Sequence, residues 1–160
     1  KVCPVTAVQN RYSMMARQYE ALFPVLEELN VGFVAFSPMA NGLLTARYGK
    51  DDKFDPKLDY RSAMPQFTPE AADQNRALLE LLRNLAKRKH ATPAQISLSW
   101  MLCKKPYIVP IPGSRKVERM RENAGAAGVI LSPAEVATLD RILETIPMSA
   151  VFGGTAIKSR

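Results

Sequence analysis

The sequence of 160 residues has little of the residue types that build metal sites and disulfide scaffolds. It contains one histidine and two cysteines, and the cysteines, Cys3 and Cys103, lie far apart in the chain. Structural zinc sites and disulfide scaffolds both need clustered cysteine or histidine, so we predict neither a metal site nor a disulfide. Free cysteines are typical of a reducing compartment, and we therefore expect a cytoplasmic protein.

Long apolar segments are also missing. No uninterrupted hydrophobic run approaches the ~20 residues that a membrane-spanning helix needs, so we predict no membrane insertion. The chain does not begin with methionine, and its start does not have the pattern of a signal peptide. It begins inside an apolar stretch, KVCPVTAVQN, which makes us expect a piece of a larger fold.

Aromatic residues are scarce, whereas basic residues are abundant. Aromatic residues make up 8% of the chain, and 22 lysines and arginines against 15 acidic residues give a net charge of +7. A nucleic acid or a phosphate-rich cofactor would each explain that excess. The basic residues form two short groups, 83–89 and 115–121, on segments with helical periodicity, and no nucleic-acid-binding motif is present. We therefore predict that the protein has no nucleic-acid partner.

Hydrophobic periodicity predicts alternating strands and helices, and hence an α/β fold with a parallel sheet whose strands are buried on both faces. The predicted strands are 4–9, 31–36 and 107–111. The predicted helices are 20–29, 68–89, 92–103, 116–127 and one that begins at Ser132. Capping boxes at Thr92/Gln95 and Ser132/Glu135 support the starts of two of these helices. Residues 46–67 lack a period, which predicts a long functional loop, and residues 147–160 are a predicted loop.

The segment VPIPGSRKVERMREN, residues 109–123, contains the strongest functional pattern. A strand that leads through Gly113 and Ser114 into a helix presents free N–H groups and the positive end of the helix dipole, which favour an anion. Glycine also lets the backbone approach a ligand closely. Arg115, Lys116 and Arg119 lie where the dipole favours acidic residues, so we expect a bound phosphate to compensate them. An ordinary solvated helix start is the alternative.

Four blocks of the sequence together resemble the C-terminal half of an aldo-keto reductase, in particular bacterial members of that family and the related potassium-channel β subunits. The blocks are VQNRYS, GFVAFSPMANGLLT, TPAQISLSWML and VPIPGSRKVERMRENAGA, in this order. The resemblance implies that residues 1–160 are the C-terminal part of a (β/α)₈ TIM barrel, about three of its eight strands, without an internal domain boundary. It also implies NADPH-dependent reduction of aldehydes or ketones by hydride transfer.

The resemblance further implies a cofactor site. Gln9 would hydrogen bond the nicotinamide carboxamide, and Phe36 would stack against the nicotinamide ring. The pyrophosphate would be held by Ser37, Pro38, Met39, Ala40 and Asn41, with Arg47 reaching it from the loop. Arg61 would lie over the adenosine. The adenosine end would be bound beside Ser114. Its 2′-phosphate would be held by Gly113, Arg115, Lys116 and Arg119. Its adenine would be bound by Glu122 and Asn123.

The family's catalytic aspartate, tyrosine, lysine and histidine belong to the N-terminal half of the barrel, and no block here resembles their surroundings. We therefore assign no catalytic residue, and we predict that this chain alone is inactive. Its expected partners are a small carbonyl substrate and either the missing N-terminal half of the barrel or an oligomeric partner. The alternative function is a cofactor-binding module without catalysis, as in the channel-associated relatives.

Overall fold

A computed structural model describes residues 3–152 of the chain. Three strands, β1 (Ala7–Arg11), β2 (Gly32–Phe36) and β3 (Ile108–Pro110), form one sheet in the order β1-β2-β3. Both neighbouring pairs are parallel, with Gln9 opposite Val34 and Val34 opposite Val109. The predicted α/β fold with a parallel sheet is therefore confirmed.

Helices fill the connections between and after the strands. The α-helices are α1 (Phe23–Glu28), α2 (Pro69–Gln74), α3 (Arg76–Arg88), α4 (Pro93–Lys104), α5 (Val117–Ala124) and α6 (Pro133–Thr145). Both predicted capping boxes are present, at the starts of α4 and α6. Within residues 3–152, none of the helices is both long and apolar enough to cross a membrane.

The predicted helix 68–89 is two helices, because the chain turns at Asn75. This residue is completely buried, and its amide nitrogen donates a hydrogen bond of 2.9 Å to the hydroxyl of Ser149. Its amide oxygen accepts a bond of 2.9 Å from the Ser149 N–H. The polar side chain is thus satisfied by a partner 74 residues away, which local periodicity does not reveal.

Other boundaries differ from the prediction at helix starts and strand ends. The predicted helix 20–29 is a 3₁₀ turn, Gln18–Leu22, followed by α1, whose first turn contains Pro24. Proline lacks an N–H donor and suits a first turn, which explains the late start of the α-helix. The predicted helix 116–127 is α5 followed by a 3₁₀ turn, Gly125–Gly128.

Of the two predicted loops, only the first differs from the prediction within the described residues. The predicted loop 46–67 contains two further 3₁₀ turns, Tyr60–Ala63 and Pro65–Phe67. Residues 147–152 contain no helix or strand, and the rest of the predicted C-terminal loop lies outside the described residues.

The prediction that the strands are buried on both faces was wrong. Along β2, Phe33 and Ala35 are fully buried, whereas Val34 and Phe36 are only half-buried. Val109 of β3 lies in the same row as Val34 and is 54% exposed. Successive strand side chains point to opposite faces, so residues 3–152 cover one face of the sheet well and the other only in part.

The covered face carries an aromatic core and, beside it, a buried ionic cluster. Tyr12 stacks on Trp100 with ring centroids 5.4 Å apart and meets Phe33 edge to face at 5.5 Å. The buried ionic cluster is the set Tyr12, Arg17, Glu20, Trp100, Lys104 and Asp140, in which the two rings are fully buried and the charged side chains are 9–25% exposed. Because these residues come from the segment after β1 and from α4 and α6, the cluster joins three parts of the chain.

Candidate functional site: a cationic groove

A groove of about 510 Å³ opens between the segments that follow β2 and β3. One wall is formed by residues 37–48 and the other by residues 111–123, with Tyr60 and Arg61 at the margin. The volume is typical of ligand pockets, which span roughly 300–1,000 Å³. The carboxyl ends of parallel strands are also the edge at which α/β proteins bind ligands. We call this feature the cationic groove.

Thirteen of the sixteen predicted cofactor residues line the cationic groove. They are Ser37, Pro38, Met39, Asn41, Arg47, Arg61, Gly113, Ser114, Arg115, Lys116, Arg119, Glu122 and Asn123. Sequence reasoning missed seven further lining residues: Gly42, Thr45, Tyr48, Tyr60, Ala94, Ile111 and Pro112. Most of these adjoin predicted positions in sequence, and that adjacency was the available signal. Ala94, at the start of α4, adjoins no predicted position, so only the fold brings it to the groove.

Three predicted residues do not line the groove. Ala40 is 2% exposed and packs into the hydrophobic core, so its side chain is not available to a ligand. Gln9 and Phe36 lie on the less covered face of the sheet, and Gln9 is exposed. The sequence placed Gln9 at the end of its strand, but β1 continues for two residues to Arg11. The cofactor roles of Gln9 and Phe36 stay predictions.

The segment after β2 has an unusual backbone. Positive φ angles occur at Ser37 (52°), Ala40 (48°), Asn41 (59°), Gly42 (101°) and Ala46 (54°). Residues other than glycine rarely adopt positive φ angles, and residues that do so cluster at ligand-binding sites. At Gly42 a Cβ atom would also come within 3.3 Å of the Tyr48 ring, so glycine is required there. The segment is therefore held in one conformation by its surroundings.

Gln66 supplies much of that support. It is 1% exposed, and its amide nitrogen donates to the side-chain oxygen of Asn41 at 3.2 Å and to the carbonyl of Ala40 at 3.5 Å. Its amide oxygen accepts a bond of 3.0 Å from the N–H of Phe152. A single buried amide thus ties one groove wall to residue 152, near the end of the described chain.

Two of the groove's arginines share one carboxylate. Arg47, from the segment after β2, donates to both oxygens of Glu122 on α5, at 3.0 and 2.8 Å. Arg119 donates to the same carboxylate at 2.9 Å. The predicted adenine contact Glu122 therefore orients two cations from opposite walls, a role that sequence spacing suggested only for its helical neighbour Arg119.

A third arginine is fixed by aromatic rings. Arg61 forms an ion pair with Asp59, and its guanidinium lies 4.3 Å from the centroid of Phe54 and 4.7 Å from that of Tyr48. Hydrogen bonds from Arg61 hold the pKa of the Asp59 carboxyl below its ordinary value. The charge of Arg61 is thus largely offset by Asp59, and stacking fixes its position.

The remaining two cations are not paired. No carboxylate within residues 3–152 lies within 4.0 Å of the side-chain nitrogens of Arg115 or Lys116. Both precede α5, whose first turn is not capped by any side chain. Ser114 instead accepts a bond of 3.1 Å from the N–H of Lys116. Free helix N–H groups and two unpaired cations together favour a bound anion.

Gly113 has no structural reason to be glycine within the described residues. Its φ is outside the left-handed region, and a Cβ atom there would meet nothing within 4 Å. The space that a side chain would occupy is part of the groove margin. The position therefore leaves room for a ligand to approach the backbone, and its role at a phosphate stays a prediction.

Residues assigned no function have structural positions. His90 is exposed at φ 51°, two residues after the end of α3, and Tyr12 is completely buried. Cys103 is half-buried and accepts a hydrogen bond of 3.4 Å from the N–H of Leu131. Within the described part of the chain, no three histidine, cysteine or acidic side chains are placed to hold a metal ion.

Comparison with known proteins identifies relatives over almost the whole chain. Residues 1–144 match the family model described as the aldo/keto reductase family. Aldo-keto reductase str7 of Strobilurus tenacellus is 35% identical over 147 residues, which are 89% of this chain and 44% of that protein. Probable aldo-keto reductase 1 of Glycine max is 36% identical over 152 residues, which are 94% of this chain and 42% of that protein. The chain thus spans less than half the length of these curated relatives.

Solved structures show the same fold. The glycerol dehydrogenase AKR11B4 of Gluconobacter oxydans superposes with a TM-score of 0.80 at 24% identity, over 94% of this chain and 47% of its own. An aldo-keto reductase of Klebsiella pneumoniae, solved in complex with NADPH, gives a TM-score of 0.60 at 22% identity. The match covers 97% of this chain and 43% of the reductase. The three-stranded parallel sheet with its helices is therefore part of a (β/α)₈ barrel, which confirms the predicted fold class.

Proposed function

The chain belongs to the aldo/keto reductase family, and on that basis we propose that the full-length protein reduces aldehydes or ketones to alcohols with NADPH. By full-length protein we mean the polypeptide in which residues 1–160 occur. In this proposal the chain is the C-terminal half of the barrel and supplies most of the nicotinamide-nucleotide site. The observation that carries the proposal is the cationic groove, which is lined by thirteen of the cofactor residues that the resemblance implies.

The charge of the groove supports a nucleotide with an additional phosphate. Its lining includes the five cations Arg47, Arg61, Arg115, Lys116 and Arg119, but Glu122 is the single carboxylate among the lining residues. Arginine binds phosphate through paired, charge-assisted hydrogen bonds, and unpaired cations are available for it. The residues present therefore fit NADPH, with Arg115, Lys116 and Arg119 at the 2′-phosphate.

The other residues of the groove would orient the rest of the dinucleotide. The segment 37–41 would hold the pyrophosphate through its backbone N–H groups and Asn41, in the conformation that Gln66 supports. Phe36 would present its ring, and Gln9 its amide, to the nicotinamide. When bound there, NADPH would supply the hydride that reduces the carbonyl carbon.

A proton donor for the carbonyl oxygen has to come from outside this chain in our proposal. Tyr12 is buried and donates its hydroxyl to Glu20. Burial, with a hydrogen bond to Glu27, raises the pKa of Tyr107 to about 12, and that hydroxyl bonds Glu27 at 3.0 Å. Neither tyrosine lines the groove; of the two tyrosines that do, Tyr48 packs edge to face on Phe54 and Phe67, and Tyr60 is 68% exposed. We therefore place the acid in the remainder of the full-length protein.

Titration calorimetry with NADPH and NADH, followed by turnover assays on a panel of aldehydes and ketones, tests the proposal. We expect tighter binding of NADPH than of NADH, and consumption of NADPH with the carbonyl compounds. An Arg115→Gln/Lys116→Gln variant should lose NADPH affinity and keep NADH affinity. Binding without turnover would support the cofactor-binding module instead, and indifference to NADPH would overturn both functions.

A further inference from the structure

Arg11 is a cation at the carboxyl edge of the sheet that no predicted role uses. It is the last residue of β1 and lies opposite Phe36, the last residue of β2. Its guanidinium carbon lies 4.9 Å from the centroid of the Phe36 ring and 5.9 Å from that of Phe152. Two aromatic rings from different segments therefore hold this guanidinium in place.

Arg11 differs from the paired arginines of the groove. Arg47, Arg61 and Arg119 each bind a carboxylate. The Arg11 side chain forms no ion pair with any residue of the described chain, 3–152. Aromatic rings contact the face of a guanidinium, whereas its five N–H donors point outward in its plane. The donors of Arg11 therefore remain available for a planar, two-oxygen acceptor.

The partial burial of Arg11 also favours the binding of an anion by its guanidinium. Burial lowers the pKa of Arg11 from its ordinary value, and the nearby Tyr60 partly opposes this effect. A cation that has lost part of its hydration gains more from a bound anion than a fully solvated one. Arg11 lies opposite Phe36, the residue that precedes Ser37 of the groove lining, and is therefore close to the groove's margin.

The neighbouring ring indicates where such an anion would come from. Phe36 is the residue predicted to stack on the nicotinamide, which is the end of the cofactor that carries no phosphate. A group beside Phe36 and Arg11 would therefore belong to the molecule that receives the hydride. A carboxylate is the planar, two-oxygen anion that matches an arginine fork.

We infer that Arg11 binds a carboxylate of the carbonyl substrate, so that the full-length protein prefers carbonyl compounds that carry a carboxylate to neutral ones. This inference rests on the proposed reductase function. In the reaction the carbonyl carbon gains a hydride and its oxygen a proton, and the carboxylate is unchanged. Arg11 is thus a specificity residue that positions substrate and takes no part in the bond changes.

The test compares matched acid and ester substrates in the full-length protein. We would measure kcat/KM with NADPH for 2-, 3- and 4-carboxybenzaldehyde and for their methyl esters, in wild type, Arg11→Gln, Arg11→Lys and Arg88→Gln. We expect wild type to prefer at least one acid over its ester. Arg11→Gln should lower kcat/KM for that acid about 10- to 100-fold and for the ester by less than about twofold.

The two further variants sharpen the result. Arg11→Lys should be intermediate, because lysine keeps the charge but not the planar fork. Arg88, exposed at the end of α3, is the control for the loss of one positive charge, and its variant should match wild type. The acid-to-ester preference of wild type needs no variant, so a misfolded Arg11→Gln would not remove the test.

Each contrary outcome has its own meaning. Turnover of esters without preference for any acid would overturn the inference and leave the reductase function standing. A rise in the KM for NADPH in Arg11→Gln, equal for acid and ester, would assign Arg11 to a cofactor phosphate and also overturn it. If the wild-type protein neither binds NADPH nor turns over any of these substrates, the proposed function itself is refuted.

Discussion

The chain contains two concentrations of charge that differ in their balance. In the buried ionic cluster, the cations Arg17 and Lys104 meet the carboxylates Glu20 and Asp140, and each cation contacts both carboxylates. In the cationic groove, five cations line the surface with Glu122 as the only lining carboxylate. Charge balance, more than the number of charges, distinguishes the cluster that stabilises the fold from the groove suited to an anionic ligand.

The cluster is also complete in its hydrogen bonding. Glu20 accepts from Arg17 at 2.9 Å and from the hydroxyl of Tyr12, while Trp100 donates to Asp140 at 2.9 Å. Burial alone would raise the pKa of Glu20, but hydrogen bonds from its partners hold that pKa below its ordinary value. Removing one of these partly buried charges leaves its partners without their hydrogen bonds and costs stability, whereas removing an exposed cation costs little.

Glu20→Ala should produce the largest effect, and it should be on stability. Removal of this carboxylate leaves the buried Tyr12 hydroxyl and Arg17 without their main acceptor. We expect a loss of about 3 kcal/mol in the free energy of unfolding, measured by urea denaturation of the full-length protein. Glu28→Ala, at an exposed position on α1, is the control and should change this free energy little. Equal losses in both variants would contradict a special role for the cluster.

Arg119→Ala should produce the next largest effect, and it should be on binding. We expect NADPH affinity to fall about 10- to 100-fold, because a phosphate would lose a charge-assisted partner. NADH affinity and the unfolding free energy should change little, since the Arg119–Glu122 pair is partly exposed. Arg121→Ala is the control, two residues further along α5 and outside the groove lining. Calorimetry that finds the same loss for both nucleotides would refute the 2′-phosphate assignment.

Gly113→Ala tests the groove without changing any charge. The added methyl group meets no protein atom within 4 Å, so the unfolding free energy should stay within about 0.5 kcal/mol of wild type. NADPH affinity should fall several-fold, because the methyl group would occupy space through which a phosphate approaches the backbone. Unchanged NADPH affinity would show that no ligand approaches the backbone at Gly113.

The half-buried ion pair Lys89–Glu135, whose side chains are 26% and 37% exposed, provides the smallest effect in this series. A hydrogen bond from Lys89, together with the N–H of Ser132, lowers the pKa of Glu135 from 4.5 to about 2. Because the folded pKa is depressed, the stabilisation is present above pH 4.5 and is lost as the pH falls toward 2. Glu135→Gln should therefore be slightly less stable at pH 7, by less than about 1 kcal/mol. The denaturation midpoint of the variant should approach that of wild type near pH 2. A difference in midpoint that does not change with pH would show that the ionised Glu135 carboxylate is not the source of the stabilisation.

Short-range features were predictable from sequence. The capping boxes of α4 and α6 were predicted because their donors and acceptors are three residues apart. The segments after β2 and β3 were predicted to share a site because the resemblance covered both. The break at Asn75 was not predicted, since its partner Ser149 is 74 residues away.

The sequence by itself determined the alternation of strand and helix, the capped starts of α4 and α6 and the excess of cations, because each depends on neighbouring residues or on composition. Only the tertiary structure decided which cations are free to bind an anion. Arg47 is paired with Glu122 across the groove, whereas Arg11 lies between two rings without a carboxylate partner in residues 3–152. Electrostatic attraction weakens as the distance between two charges grows, so pairing depends on distances that the fold alone establishes.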